Sequence, residues 1–139
     1  MIRLTRRYDF SAAHVLARDD WSFERNKSVY GKCANPAGHG HNYRVEVTLE
    51  GALDARTGQL LPDGRLDALV RARVLAPLDG RFLNRDVPAF ARHVPTAENI
   101  ARHVWDSLVL EVSPARLVRI RLVETRNNSV EYLGDEERA

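Results

Sequence analysis

The chain has one cysteine, Cys33, which excludes an internal disulfide and fits a reducing cytoplasm, the location expected for it. It has no apolar run approaching the roughly 18 residues of a membrane helix. Its opening, Met1-Ile2-Arg3-Leu4-Thr5-Arg6-Arg7, lacks the apolar stretch of a secretory signal. Lysine is almost missing: Lys27 and Lys32 stand among 21 basic residues, and the rest are arginine. We read this as a bias of composition. Against 19 acidic residues the basic ones leave a net charge of only +2, so there is no basic face and nucleic acid is a poor partner. What remains is ordinary globular usage, 44% hydrophobic and 29% charged over 139 residues, which excludes a disordered tail. One domain spanning 1–139 is expected.

There is no internal repeat, low-complexity tract or linker. Ile2, Leu4, Tyr8, Phe10, Ala12 and His14 occupy even positions, broken only by Arg6, which predicts a strand over residues 2–14. Residues 15–38 read as irregular, with turn formers such as Asp19, Asn26, Gly31 and Pro36. A second strand is expected from about His41, where Tyr43, Val45, Val47 and Leu49 alternate with polar residues. Leu66, Leu69, Val70 and Val74 then predict a helix ending near Pro77. A second helix follows Pro95, with Thr96 as N-cap and Ile100, Ala101, Val104, Trp105 and Leu108 buried. After Pro114, Val118, Ile120, Leu122 and Glu124 share the face of a third strand, and Asn127-Asn128 turns the chain into a last one around 130–133. The expected fold is α+β, in the order β-β-α-α-β-β, a four-stranded antiparallel sheet with two helices on one face. Such a sheet exposes its edges, and pairing between subunits would cover them, so an oligomer is expected.

His39 and His41 stand at i and i+2, on the same side of an extended chain. If the first two strands pair, His14 joins them. Three imidazoles describe a zinc site with one position open for water or substrate, although each could equally be an ordinary polar residue. Cys33 lies six residues before His39 in a Gly- and Pro-rich loop. It is either a small buried hydrophobe or a thiolate that removes a proton. Glu124 continues an apolar face, where a carboxylate needs donors. A heterocycle edge with two parallel N–H groups would satisfy both oxygens, and so would solvent or Arg126. Glu98 reads as a first-turn acid favoured by the helix dipole.

Four segments together resemble the 6-pyruvoyl-tetrahydropterin synthase family: Phe10-Ser11-Ala12-Ala13-His14, the run from Gly31-Lys32-Cys33 to His39-Gly40-His41-Asn42-Tyr43, Pro95-Thr96-Ala97-Glu98-Asn99, and Glu124-Thr125-Arg126-Asn127-Asn128. The spacing around Asn35-Pro36 is closer to the pyruvoyl-forming branch than to the bacterial 6-carboxy-tetrahydropterin synthases. The resemblance implies the tunnelling fold (T-fold), with trimers whose sheets join into a barrel and stack into hexamers. It implies zinc on His14, His39 and His41, Cys33 as the proton-abstracting base, Glu124 as the pterin anchor, and Thr96 and Glu98 nearby. The implied substrate is a small pterin, 7,8-dihydroneopterin triphosphate, which loses triphosphate as its side chain rearranges. The chain departs from the family at Leu78-Asp79-Gly80: Asp79 matches, but Gly80 stands where the catalytic His is expected. Pro62 stands where many bacterial relatives have Asp. The binding half of the site is therefore complete and the proton relay is not, with His93 the better stand-in and His103 the other. Alternative readings are carboxy-tetrahydropterin formation or other altered dihydropterin chemistry, or a zinc-containing pterin binder with little turnover.

Overall fold

The computed structural model describes residues 1–135, so residues 136–139 of the expected domain lie outside it. Strand β1 (Ile2–His14) pairs antiparallel with β2 (His39–Gly51) along their whole length, from Ile2↔Gly51 to His14↔His39. Strands β4 (Arg116–Thr125) and β5 (Asn128–Tyr132) extend the sheet beyond β2, joined through Arg126 and Asn127. The expected four antiparallel strands are present, but the sheet has a fifth. Strand β3 (Arg81–Phe82) pairs parallel with Ala12 and Ala13 of β1, giving the order β3-β1-β2-β4-β5. Two residues carry no periodicity, which is why the sequence pattern gives no sign of it.

The helices sit on the face carrying Phe10, Tyr43, Val45, Val47, Leu49, Ile120 and Leu122. Helix α2 (Arg65–Val70) runs through a π turn (Arg71–Leu75) into α3 (Ala76–Leu78), so the helix passes Pro77 by one residue rather than stopping before it. Short α4 (Leu83–Asp86) follows β3. Helix α5 (Ala97–Leu108) buries Ile100, Ala101, Val104, Trp105 and Leu108 as the pattern predicts, each large side chain contributing about 1.5–3 kcal/mol. Thr96 caps it, its Oγ1 accepting from the Asn99 N–H at 3.2 Å.

Two corrections concern irregularities. Residues 15–38 are not wholly irregular, because α1 (Phe23–Tyr30) lies inside them. Only Asn26 of that helix is buried, so it carries no apolar stripe to read. Val118 does not share the core face with Ile120 and Leu122. The β2–β4 register slips between Thr48↔Arg119 and Leu49↔Leu117, so Leu117 takes the buried place. The other face of the sheet is polar, with Arg119 and Arg121 at 3.2 and 3.0 Å from the buried carboxylate of Glu46. No helix among the described residues is long and apolar enough to cross a membrane.

Candidate metal and ligand site

The uninterrupted β1–β2 ladder sets the geometry of the site. Pairing places His14 opposite His39, and the two-residue period puts His41 on the same face. The ligand nitrogens of the three rings lie within 4.8 Å of one another, with His14 Nε2 and His39 Nε2 3.0 Å apart. His14 is fully buried, and its Nδ1 lies 2.8 Å from the Pro95 carbonyl. A carbonyl only accepts, so Nδ1 carries the proton and Nε2 turns a lone pair toward its neighbours. Burial holds both His14 and His39 below the usual histidine pKa, which keeps the rings neutral and able to act as ligands. His41 Nε2 is buried without a hydrogen-bond partner.

Gly38 turns the chain into β2 with φ +78°, and an added Cβ would lie 2.7 Å from the Phe82 ring. Only glycine fits that approach. Short strand β3 therefore closes over the start of the His39–His41 segment.

Cys33 lies on a 3-10 turn (Gly31–Ala34) and is half-buried. Its carbonyl accepts from the Leu16 N–H at 2.8 Å, which pins the loop beside the end of β1. Glu124 is the extra residue where β4 and β5 slip register between Val123↔Ser129 and Thr125↔Asn128. Asn128 Nδ2 donates to its Oε1 at 3.2 Å. The Glu124 carboxylate raises the pKa of His14 and His39 against the larger lowering by burial. The His14 and His41 rings pack edge-on to the buried Tyr43 ring at 6.2 and 5.5 Å, and burial drives the Tyr43 pKa up.

Asp79 and Gly80 are tied to β1: the Ser11 N–H donates to Asp79 Oδ1 at 2.9 Å, and the Gly80 N–H donates to the Ser11 carbonyl at 2.7 Å. Asp79 borders a cavity of about 730 Å³ together with Ser11, Asn42, Tyr43, Glu124 and Arg126. Neither the triad nor Cys33 is among its lining residues. Gly80 has φ +72°, with open space where a side chain would begin. Thr96 and His93 border another cavity, of about 720 Å³, which Cys33 does not line. His103 packs its ring 5.2 Å from that of Phe90, beside the apolar stripe of α5. Glu98 is exposed on the first turn of α5.

The sequence reading missed three supports. These are the Pro95 carbonyl on His14, the Tyr43 hydroxyl 3.4 Å from His14 Nδ1, and Asn84. The Asn84 side chain accepts from the Val15 N–H and donates to the Val15 carbonyl, both at 2.9 Å. Tyr43 is visible in sequence only as a core position. The other two are contacts across 69 and 81 residues that no local pattern marks.

The model of the 6-pyruvoyl tetrahydropterin synthase family matches residues 3–135. A protein named 6-pyruvoyl tetrahydrobiopterin synthase from Poecilia reticulata is 43% identical over 132 residues, covering 95% of this chain and 90% of its own. The Homo sapiens protein of that name is 41% identical over 133 residues, covering 96% and 92%. A solved structure of the Caenorhabditis elegans 6-pyruvoyl tetrahydropterin synthase superposes with a TM-score of 0.90 at 34% identity, covering 96% of each chain. Matched by the family's model over residues 3–135 and superposing this closely on a relative of 34% identity, with the three histidines converging where β1 and β2 pair, the chain belongs to the 6-pyruvoyl tetrahydropterin synthase family.

Proposed function

We propose that the chain is a zinc-dependent lyase acting on the side chain of 7,8-dihydroneopterin triphosphate, eliminating triphosphate and rearranging the remainder to 6-pyruvoyl-tetrahydropterin. The observation that carries this reading is the donor set: three convergent imidazoles, one with its Nε2 buried and unpartnered. A buried ring nitrogen left without a partner costs about 1–3 kcal/mol, and a cation between the rings relieves that cost. Three nitrogen donors with no fourth protein ligand among the described residues suit zinc with an open position. When bound, zinc supplies Lewis acidity that acidifies substrate hydroxyls and the neighbouring C–H bonds.

The rest follows from the chain's own side chains. Glu124 Oε2 and the second lone pair of Oε1 accept two parallel N–H groups of the pterin ring, while Asn128 holds the carboxylate in place. Ring binding there lays the substrate side chain toward the triad, with Cys33 beside it as the base. Thr96 and Glu98 stand at the α5 end of the site.

The relay is the weak point. Gly80 offers no acceptor, and one oxygen of Asp79 is held by Ser11. His93 borders a cavity that Cys33 does not, which weighs against it as the stand-in. These observations favour a second reading: altered dihydropterin chemistry, carboxy-tetrahydropterin formation included, or a zinc-containing pterin binder with little turnover. Among the described residues β5 has no outer strand and β1 is covered by β3 only at Ala12 and Ala13, and these open edges support a homotrimer or homohexamer in which a partner completes the site. Sedimentation as a single 15.8 kDa subunit would refute that assembly.

The reading is tested by metal analysis of purified protein. We expect about one zinc per subunit, lost in His39→Ala/His41→Ala because one remaining protein ligand cannot retain it. Full occupancy in the double variant would overturn the site.

A further inference from the structure

Past His14 the chain leaves the sheet, and the backbone groups of the next residues find partners far away in sequence. Val15 is held by Asn84, whose side chain accepts from the Val15 N–H and donates to the Val15 carbonyl, both at 2.9 Å. The Leu16 N–H donates to the Cys33 carbonyl at 2.8 Å. Arg18 is held as Val15 is: Asn26 Oδ1 accepts from its N–H at 2.8 Å, and Asn26 Nδ2 donates to its carbonyl at 3.0 Å. A carboxamide offers a donor and an acceptor side by side, so it stands in for a strand partner at a single residue.

The two clamps differ in what they join. Asn26 belongs to α1 and grips the far end of this stretch. Asn84 belongs to α4 and completes a run of contacts that follows β1 past His14. The Ser11 N–H donates to Asp79 Oδ1 at 2.9 Å, and the Gly80 N–H donates to the Ser11 carbonyl at 2.7 Å. Arg81 and Phe82 pair with Ala12 and Ala13, and Asn84 then takes Val15. The run thus grips the residue on either side of His14. One residue past the clamp, Leu16 fixes Cys33 by its carbonyl. Asn84 sits at the joint: the buried histidine precedes the residue it holds, and the partner of Cys33 follows it.

We propose that Asn84 is a positioning residue that sets where Cys33 lies relative to the three-histidine site, acting through Val15. This rests on the reading of the triad as a zinc site and of Cys33 as the base. Two readouts test it. Cobalt(II) in place of zinc reports the His14 end, through its visible absorption and its rate of loss to a chelator. Iodoacetamide reports the Cys33 end, because the chain has no other cysteine to alkylate. It is applied to metal-free protein, so it needs no bound ion. In Asn84→Ala the cobalt spectrum should shift, cobalt should be lost ~10-fold faster, and Cys33 should be alkylated ~5-fold faster. Asn84→Asp keeps the acceptor for the Val15 N–H and lacks the donor, so its values should fall between those of wild type and Asn84→Ala. The control is Asn26→Ala, which removes the same two bonds from Arg18 and should leave the cobalt spectrum as in wild type. Unchanged readouts in Asn84→Ala overturn the proposal, as does a change confined to one of the two. An equal cobalt change in Asn26→Ala overturns it too, because general loosening then suffices. Where Asn84→Ala does not fold, wild-type values in Asn84→Asp overturn it. Wild type that binds no cobalt refutes the zinc reading alone, and the alkylation rates then decide the clamp.

Discussion

Glu124, proposed as the ring anchor, combines an apolar strand face with a β-bulge. At the bulge Glu124 has no partner residue across the β4–β5 ladder, and Asn128 steadies one carboxylate oxygen at 3.2 Å. Gln keeps one good acceptor in place of two. Glu124→Gln should therefore weaken binding of a pterin analogue by about 1.5–3 kcal/mol, the loss typical of a hydrogen bond to a charged group. Unchanged affinity in calorimetry would place the anchor elsewhere. His103 allows a test of a different kind. Burial lowers its pKa, with Asp106 opposing, so the folded state prefers the neutral ring. Its contribution to stability is complete above the unfolded pKa of about 6.5 and is lost as pH falls below it. Replacing it with Gln should flatten the decline in stability between pH 7 and 5 relative to wild type, as denaturant titrations at each pH would read. An equally steep decline in the variant would contradict that assignment.

At the scale of elements, the sequence reveals what repeats and hides what does not. Strand β1 announces itself by six even-numbered residues, and the His14–His39–His41 face follows from pairing it with β2. Helix α5 announces itself by its stripe and by Thr96. Helix α1 does not, because a helix that buries only Asn26 has no reason to be periodic. Its local signals are the Ser22 N-cap, which accepts the Arg25 N–H at 3.1 Å, and Gly31, which ends it at φ 61°. Strand β3 is two residues held by tertiary contact, and the slip at Val118 is decided by which neighbour fills the core. The candidate site divides the same way. The side chains proposed as its ligands and anchor lie on motifs and strand parity that the sequence displays, whereas the Pro95 and Asn84 supports join distant backbone that no local pattern marks.

Across the whole molecule, the open question is how a family site works with Gly80 where a relay histidine is expected. The glycine is conformationally placed as well as chemically silent: φ +72° is a backbone few side chains adopt, though histidine is among those that visit it. No heavy atom among the described residues lies within 4 Å of where a Cβ would stand, so the backbone strain of about 1 kcal/mol is the cost of restoring a side chain that is visible here. General acid–base assistance is commonly worth ~10²–10⁴-fold in rate, so its absence should leave the natural protein slow. The most direct test is incubation of the zinc-loaded protein and its Gly80→His variant with 7,8-dihydroneopterin triphosphate, with products identified by mass spectrometry. The account predicts a slow release of triphosphate with the pyruvoyl product from the natural protein, rising at least ~10-fold in Gly80→His. Unreacted substrate recovered from both proteins would contradict it.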